Sequence, residues 1–171
     1  MDKYYAGIGS RSTPKDILKF MTEISMFLCR RGYVLRSGGA EGADTAFEEG
    51  VADSPLKEIY LPWKGFQGNK SPLWHVGEGA LEVAKKYHPS YSSLSSAGRL
   101  LMARNVYQVL GMDLSTPVDL VVCWTPGGKL IGGTAQAIRI AKDKSIPIFN
   151  LGKDKDIDRV KECLKTDQNF I

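Results

Sequence analysis

The nine residues Arg36-Ser37-Gly38-Gly39-Ala40-Glu41-Gly42-Ala43-Asp44 bring together the groups that hold an anion. Three glycines among small or polar neighbours let backbone N–H groups approach a ligand closely, and a helix starting near Gly42 turns its positive end on the same spot. The pattern describes a phosphate-sized hole. The other reading is a ligand-free strand-to-helix turn, which needs only one or two glycines. Two more glycine loops occur, Gly7-Ile8-Gly9-Ser10-Arg11 and Thr125-Pro126-Gly127-Gly128-Lys129-Leu130-Ile131-Gly132-Gly133-Thr134. Neither completes a common fingerprint: Leu130 stands where a Walker A loop has Ser or Thr, and Gly7-x-Gly9 lacks the third glycine of a dinucleotide turn. Arg104-Asn105 is a donor-rich pair inside an otherwise apolar stretch. If buried beside the glycine loops, it must meet a carboxylate, a phosphate or backbone carbonyls.

The elements that position these groups alternate between strand and helix. Lys3 to Ile8 reads as a strand, followed by a helix with Thr13 as N-cap, Pro14 at the first helical position and Ile17, Met21, Ile24 and Leu28 on one face. Gly32 ends it, and Tyr33-Val34-Leu35 is the second strand. A short helix carries Ala43, Ala46 and Phe47, and Glu58 to Leu61 is a third strand. It runs into the loop Pro62-Trp63-Lys64-Gly65-Phe66, a candidate lid. Trp63, Phe66 and Trp74 either stack on a base, with Lys64 or Lys70 on phosphate, or cover the edge of the core. Val76, Ala80, Val83 and Tyr87 mark a helix ended by His88-Pro89, and the serines from Ser90 to Ser96 cap another from Ala97 to Leu110. Val118 to Trp124 is the most apolar strand and is expected at the centre of the sheet. A helix with Ala135, Ile138 and Ala141 follows, then the strand Ile146 to Leu151, placed at an edge by Pro147, and a charged helix from Lys153 onward. Such βαβ units imply an α/β domain with a parallel sheet, and ligands beyond the carboxyl ends of its strands.

With 171 residues and 43% hydrophobic content, the chain is expected to form a single domain over 1–171. It has no run of membrane-span length and no secretory signal, which points to the cytoplasm. Cys29, Cys123 and Cys163 are odd in number and widely spaced, so neither a disulfide framework nor a metal site is expected. His75 and His88 lack the orienting partners of a general base. A net charge of +4 suits an anionic ligand without the dense basic stripe of a dedicated nucleic-acid binder.

Taken in order, Gly7-Ile8-Gly9-Ser10-Arg11, Ser37-Gly38-Gly39-Ala40-x-Gly42-Ala43-Asp44, Arg104-Asn105 and Gly132-Gly133-Thr134 resemble the SLOG superfamily, across residues 3–151. That group joins the DprA/Smf recombination mediators, the LOG phosphoribohydrolases and the YpsA-like proteins, and the likeness is greatest to small stand-alone DprA-like proteins of phages and bacteria. It implies a Rossmann-like, doubly wound, mostly parallel sheet flanked by helices. It also implies nucleotides, nucleotide-sugar derivatives or single-stranded DNA at the glycine loops. The implied site comprises Gly9, Ser10, Arg11, Ser37, Gly38, Gly39, Ala40, Gly42, Ala43, Asp44, Arg104, Asn105, Gly132, Gly133 and Thr134, with Trp63 or Trp124 over the base. No cofactor is required beyond the nucleotide-type ligand. One departure bears on catalysis: LOG enzymes set a glutamate three residues after the threonine of their glycine motif, and that place here is Ala137. Cleavage of an N-glycosidic bond then falls to Arg104 with Glu41 or Asp44, and binding without cleavage is the leading expectation. The expected partner is an ADP-ribose-type or cyclic nucleotide, sequestered or sensed by a homodimer. LOG-like hydrolysis and single-stranded DNA binding rank behind it.

Overall fold

The computed structural model describes residues 2–171. Its strands β1 (Lys3–Gly9), β2 (Tyr33–Ser37), β3 (Lys57–Ile59), β4 (Leu120–Trp124) and β5 (Ile148–Asn150) form one sheet in the order β3-β2-β1-β4-β5. Every pairing is parallel. The helices are α1 (Lys15–Arg30), α2 (Ala43–Gly50), α3 (Glu78–Tyr87), α4 (Ser96–Leu110), α5 (Thr134–Asp143) and α6 (Asp154–Thr166). None of the described helices is long and apolar enough to cross a membrane.

Alternation along the strands divides the core in two. Leu120 and Val122 of β4 join Tyr5 and Leu35 under α1, α2 and α6, where Met21, Ile24, Phe47 and Val160 pack. Val121 and Cys123 point the other way, with Ala6 and Ile8, against Ala80 of α3, Val106 of α4 and Ile138 of α5. Successive residues of a strand face opposite sides, so a strand covered on both faces must be apolar throughout. Each fully buried Leu, Ile or Phe contributes about 1.5–3 kcal/mol. The parallel α/β sheet expected from the alternating pattern is observed, with the double winding that the family resemblance implied.

Three local details differ from the sequence reading. Thr13 does not cap α1; its hydroxyl donates to the Ser10 carbonyl at 2.6 Å, and Pro14 takes the cap position. The third strand stops at Ile59 rather than Leu61. Tyr60 still donates to the Ser37 carbonyl at 2.9 Å, but Leu61 turns away to the Leu73 carbonyl at 2.8 Å. The middle strand is β1, with β4 beside it, although β4 is the more apolar run. In contrast, Ser95 caps α4 by accepting from the Gly98 amide at 3.1 Å, Gly32 closes α1 at φ +75°, and β5 lies at the edge.

Candidate functional site

The chain reverses its winding between β1 and β4: β2 and β3 are laid on one side of β1, β4 and β5 on the other. The loops after β1 and β4 therefore diverge to opposite faces, which opens a crevice at the strands' carboxyl ends. A cleft of about 650 Å³ occupies this place, within the range of about 300–1,000 Å³ common for ligand sites. Close packing joins its walls. A Cβ at Gly9 would stand 2.6 Å from the Ala43 Cβ, so the first turn of α2 rests directly on the end of β1. Gly42, at φ +85°, has no room for a Cβ either, which would lie 2.9 Å from the Arg11 Cα. The β1–α1 and β2–α2 loops are thus held against each other by backbone contact.

Arg104 and Asn105 tie the remaining walls together. The buried Arg104 donates through Nε to Asn105 Oδ1 at 3.0 Å and through Nη1 to the carbonyls of Gly38 and, at 3.4 Å, Tyr60. Asn105 Nδ2 donates to the Gly133 carbonyl at 3.1 Å. Of the three possible partners for this pair, the protein supplies carbonyls. Nη2 makes no protein hydrogen bond among the described residues, and Arg104 lines the cleft. Its guanidinium lies 5.5 Å from the centre of the Phe66 ring.

Asp44 is the second charged group in the floor, only 4% exposed. Its Oδ2 accepts from the Ala40 amide at 3.3 Å. Burial pushes its carboxyl up from 3.8 to about 6, opposed by the Arg104 charge and by the amides of Ala40, Gly9 and Gly38. Arg104 responds in kind: burial draws it below its ordinary value, and Asp44 draws it back. The two interact through space without an ion-pair contact among the described residues.

The third glycine loop forms the far wall. The first bonds closing α5 run from the Ala135 and Gln136 amides to the carbonyls of Gly132 and Gly133 at 3.3 and 3.2 Å. The amides of Gly132, Gly133 and Thr134 precede those bonds and lie at the positive end of α5, beside the cleft. At the base of this loop Asn150 accepts from the Thr125 amide at 3.2 Å and the Gly152 amide at 3.0 Å, and donates to the Thr125 hydroxyl at 2.7 Å.

Of the residues expected at the site, Gly9, Ser10, Arg11, Ala40, Asp44 and Arg104 line the cleft, with Asn105, Gly132, Gly133 and Thr134. Arg11 is exposed at its edge. The others shape it from behind. Ser37 is buried and donates to the Gly7 carbonyl at 2.6 Å, Gly38 offers its carbonyl to Arg104, Gly39 turns the loop at φ +65°, and Gly42 and Ala43 form the contacts described above. Glu41 faces a shallow groove between α1 and α2, its amide donating to Gln67 Oε1 at 2.6 Å. Trp124 packs against the core on the α1 side, and Ala137 is fully buried in α5. Trp63 stands outside the cleft with its ring edge-on to Phe66, centroids 5.2 Å apart, so the aromatic that reaches the cleft from this loop is Phe66.

Sequence reasoning missed Gln67, Leu101, Met102, Gln108, Thr125 and Ile131, all in the lining. The α4 members carried a usable signal: positions 101, 104, 105 and 108 share one helical face. Gln67 sits at φ 49° in a turn and Ile131 in a loop, where no periodicity operates.

These features define an open, doubly wound α/β protein with a cleft at its switch point. No family model matches the chain, and no curated protein does. Among solved structures, it is similar to DNA processing protein A from Helicobacter pylori, described for its single-stranded DNA binding mode. The identity is 20%, the TM-score 0.59, and the match covers 96% of this chain and 79% of that one. At this identity the likeness is one of fold. It corrects the order of partners expected from sequence, in which single-stranded DNA stood behind a nucleotide-derived small molecule: the matched protein is a single-stranded DNA binder. A net charge of +4 does not choose between a nucleotide and a polynucleotide, because the sum is blind to where the charges lie.

Proposed function

We propose that this chain binds single-stranded DNA, as a small DprA-like member of the SLOG superfamily, and that it seats one nucleotide of the strand in the switch-point cleft. The observation that carries the reading is the fold match over 96% of the chain to a single-stranded DNA-binding protein. The chemistry of the cleft supports it. A phosphate on the amides of Gly132, Gly133 and Thr134 meets the positive end of α5, with Arg11 at the edge and Arg104 Nη2 in the floor. Asp44, also in the floor, keeps the phosphate on the α5 side by repulsion. The base then rests among Phe66, Leu101, Met102 and Ile131, an aromatic and aliphatic surface that accepts any base by its flat face. A duplex presents no free base face and cannot enter in this way.

The test is fluorescence anisotropy with a labelled oligothymidylate across a salt series. Affinity should fall with salt at a slope of about 0.7 per phosphate neutralised. Arg11→Gln, at an exposed side chain that leaves the fold alone, should lower the slope by about 0.7. Arg104→Gln should weaken binding about tenfold, equivalent to about 1.4 kcal/mol. Absence of binding at low salt, or equal affinity for a duplex of the same sequence, would refute the reading.

A further inference from the structure

We infer that a second, basic depression on the outer side of the Thr125–Thr134 loop takes up the strand as it leaves the cleft, so that the DNA crosses this loop and is held on both sides of it. The inference rests on the single-stranded DNA reading above and extends it to a part of the surface outside the cleft.

The depression has a volume of about 350 Å³ and is walled by the β4–α5 loop, α5 and the start of α6. Its lining includes four cationic side chains, Lys142, Lys153, Lys155 and Arg159, against one carboxylate, Asp156. That carboxylate is already engaged: Oδ2 accepts from the buried Asn150 amide at 2.9 Å, and Oδ1 faces Arg159 at 3.5 Å. Lys142, Lys153 and Lys155 form no ion pair among the described residues and are exposed. Three unpaired ammonium groups around one hollow suit a run of phosphates, whose repeating charge can be matched by flexible point donors.

Continuity with the cleft comes from the loop itself. Pro126 and Ile131 line the cleft, while Gly128 and Leu130 line the depression, so one short segment is the wall of both. The stem of Lys153 lies against Gly128, where a Cβ would come within 2.8 Å of its Cε. At the crest of the wall stand Leu130 and Ile131, 40% and 49% exposed. Two adjacent exposed aliphatic side chains between two anion-receptive hollows form an apolar ridge over which bases can rest while phosphates fall to either side.

The test compares oligothymidylates of about three and about twelve nucleotides, the first able to fill only the cleft and the second long enough to cross the ridge. The intact protein should bind the longer strand more tightly and with the steeper salt slope. The variant Lys142→Gln/Lys153→Gln/Lys155→Gln should keep its affinity for the short strand, lose about tenfold or more for the long one, and lower its salt slope by about 2. An unchanged long-strand affinity and slope in the variant would overturn the inference, as would equal binding of both lengths by the intact protein. If the intact protein binds neither length, it is the single-stranded DNA reading that fails. All three positions are exposed, and an unaltered melting temperature verifies that the variant is folded.

Discussion

Asp44 offers the sharpest physical test of the cleft, because its carboxyl is buried beside a buried arginine and titrates near neutrality. Burial raises it from 3.8 to about 6 in the folded protein. A carboxyl raised on folding favours the folded state when protonated, so its contribution is intact below about pH 4 and lost as pH rises through 6. A difference of about two units corresponds to about 3 kcal/mol when fully lost, of which about 1.5 kcal/mol disappears between pH 5 and pH 8. Asp44→Asn mimics the protonated form: the amide oxygen still accepts from Ala40, and no charge remains to be desolvated. At pH 8 the variant should be more stable than the native chain by up to about 3 kcal/mol. In a chain of this length that is a rise in melting temperature of about 6–12 °C. At pH 3, below the unfolded value of 3.8, the two should melt together. The comparison between variant and native chain cancels every other titrating group. Thermal or urea unfolding at half-unit pH steps reads the difference directly. Parallel pH profiles for the two proteins would refute the reasoning, since they would mean that Asp44 is solvated or is fully compensated by Arg104.

Two further substitutions probe how the loops are held. Asn150→Ala strands the buried amide and hydroxyl of Thr125 and the amide of Gly152, and should lower unfolding stability by about 2–4 kcal/mol with an unchanged denaturant slope. Because that network anchors the wall between the two hollows, single-stranded DNA affinity should fall as well, by anisotropy on protein kept well below its melting temperature. Gly9→Ala sets a methyl group 2.6 Å from Ala43 and should cost about 1–3 kcal/mol in chemical denaturation, whereas a neutral result would show that α2 can slide away from β1.

Much of the fold was readable locally. Alternating apolar runs of strand and helix length, each strand followed by a glycine loop, implied parallel βαβ units, Gly32 and Ser95 marked helix ends that the structure keeps, and Pro147 marked the edge strand. The grouping of the three glycine loops also followed from pattern, since parallel strands deliver their loops to one edge of the sheet. Thr13 was misread because a threonine before Pro14 satisfies a capping pattern, yet its hydroxyl found the Ser10 carbonyl inside the loop first. The sequence reading placed Trp63 rather than Phe66 over the base, and the cleft takes Phe66. Both stand in one loop, and only the turn at Gly65 and Gln67 brings Phe66 inward and leaves Trp63 behind it.

The sequence by itself determined the class of architecture, the three glycine loops at strand ends and the presence of an arginine that would need partners, because these depend on periodicity and on the chemistry of single residues. Only the tertiary structure decided what Arg104 holds, which face of α4 enters the cleft, and where the positive charge lies. Lys142, Lys153, Lys155 and Arg159 are spread over two helices and the turn before the second of them, and they surround one hollow only when α6 packs back beside β5. A net charge of +4 is a property of the chain, whereas a hollow ringed by cations is a property of how that charge is arranged in space.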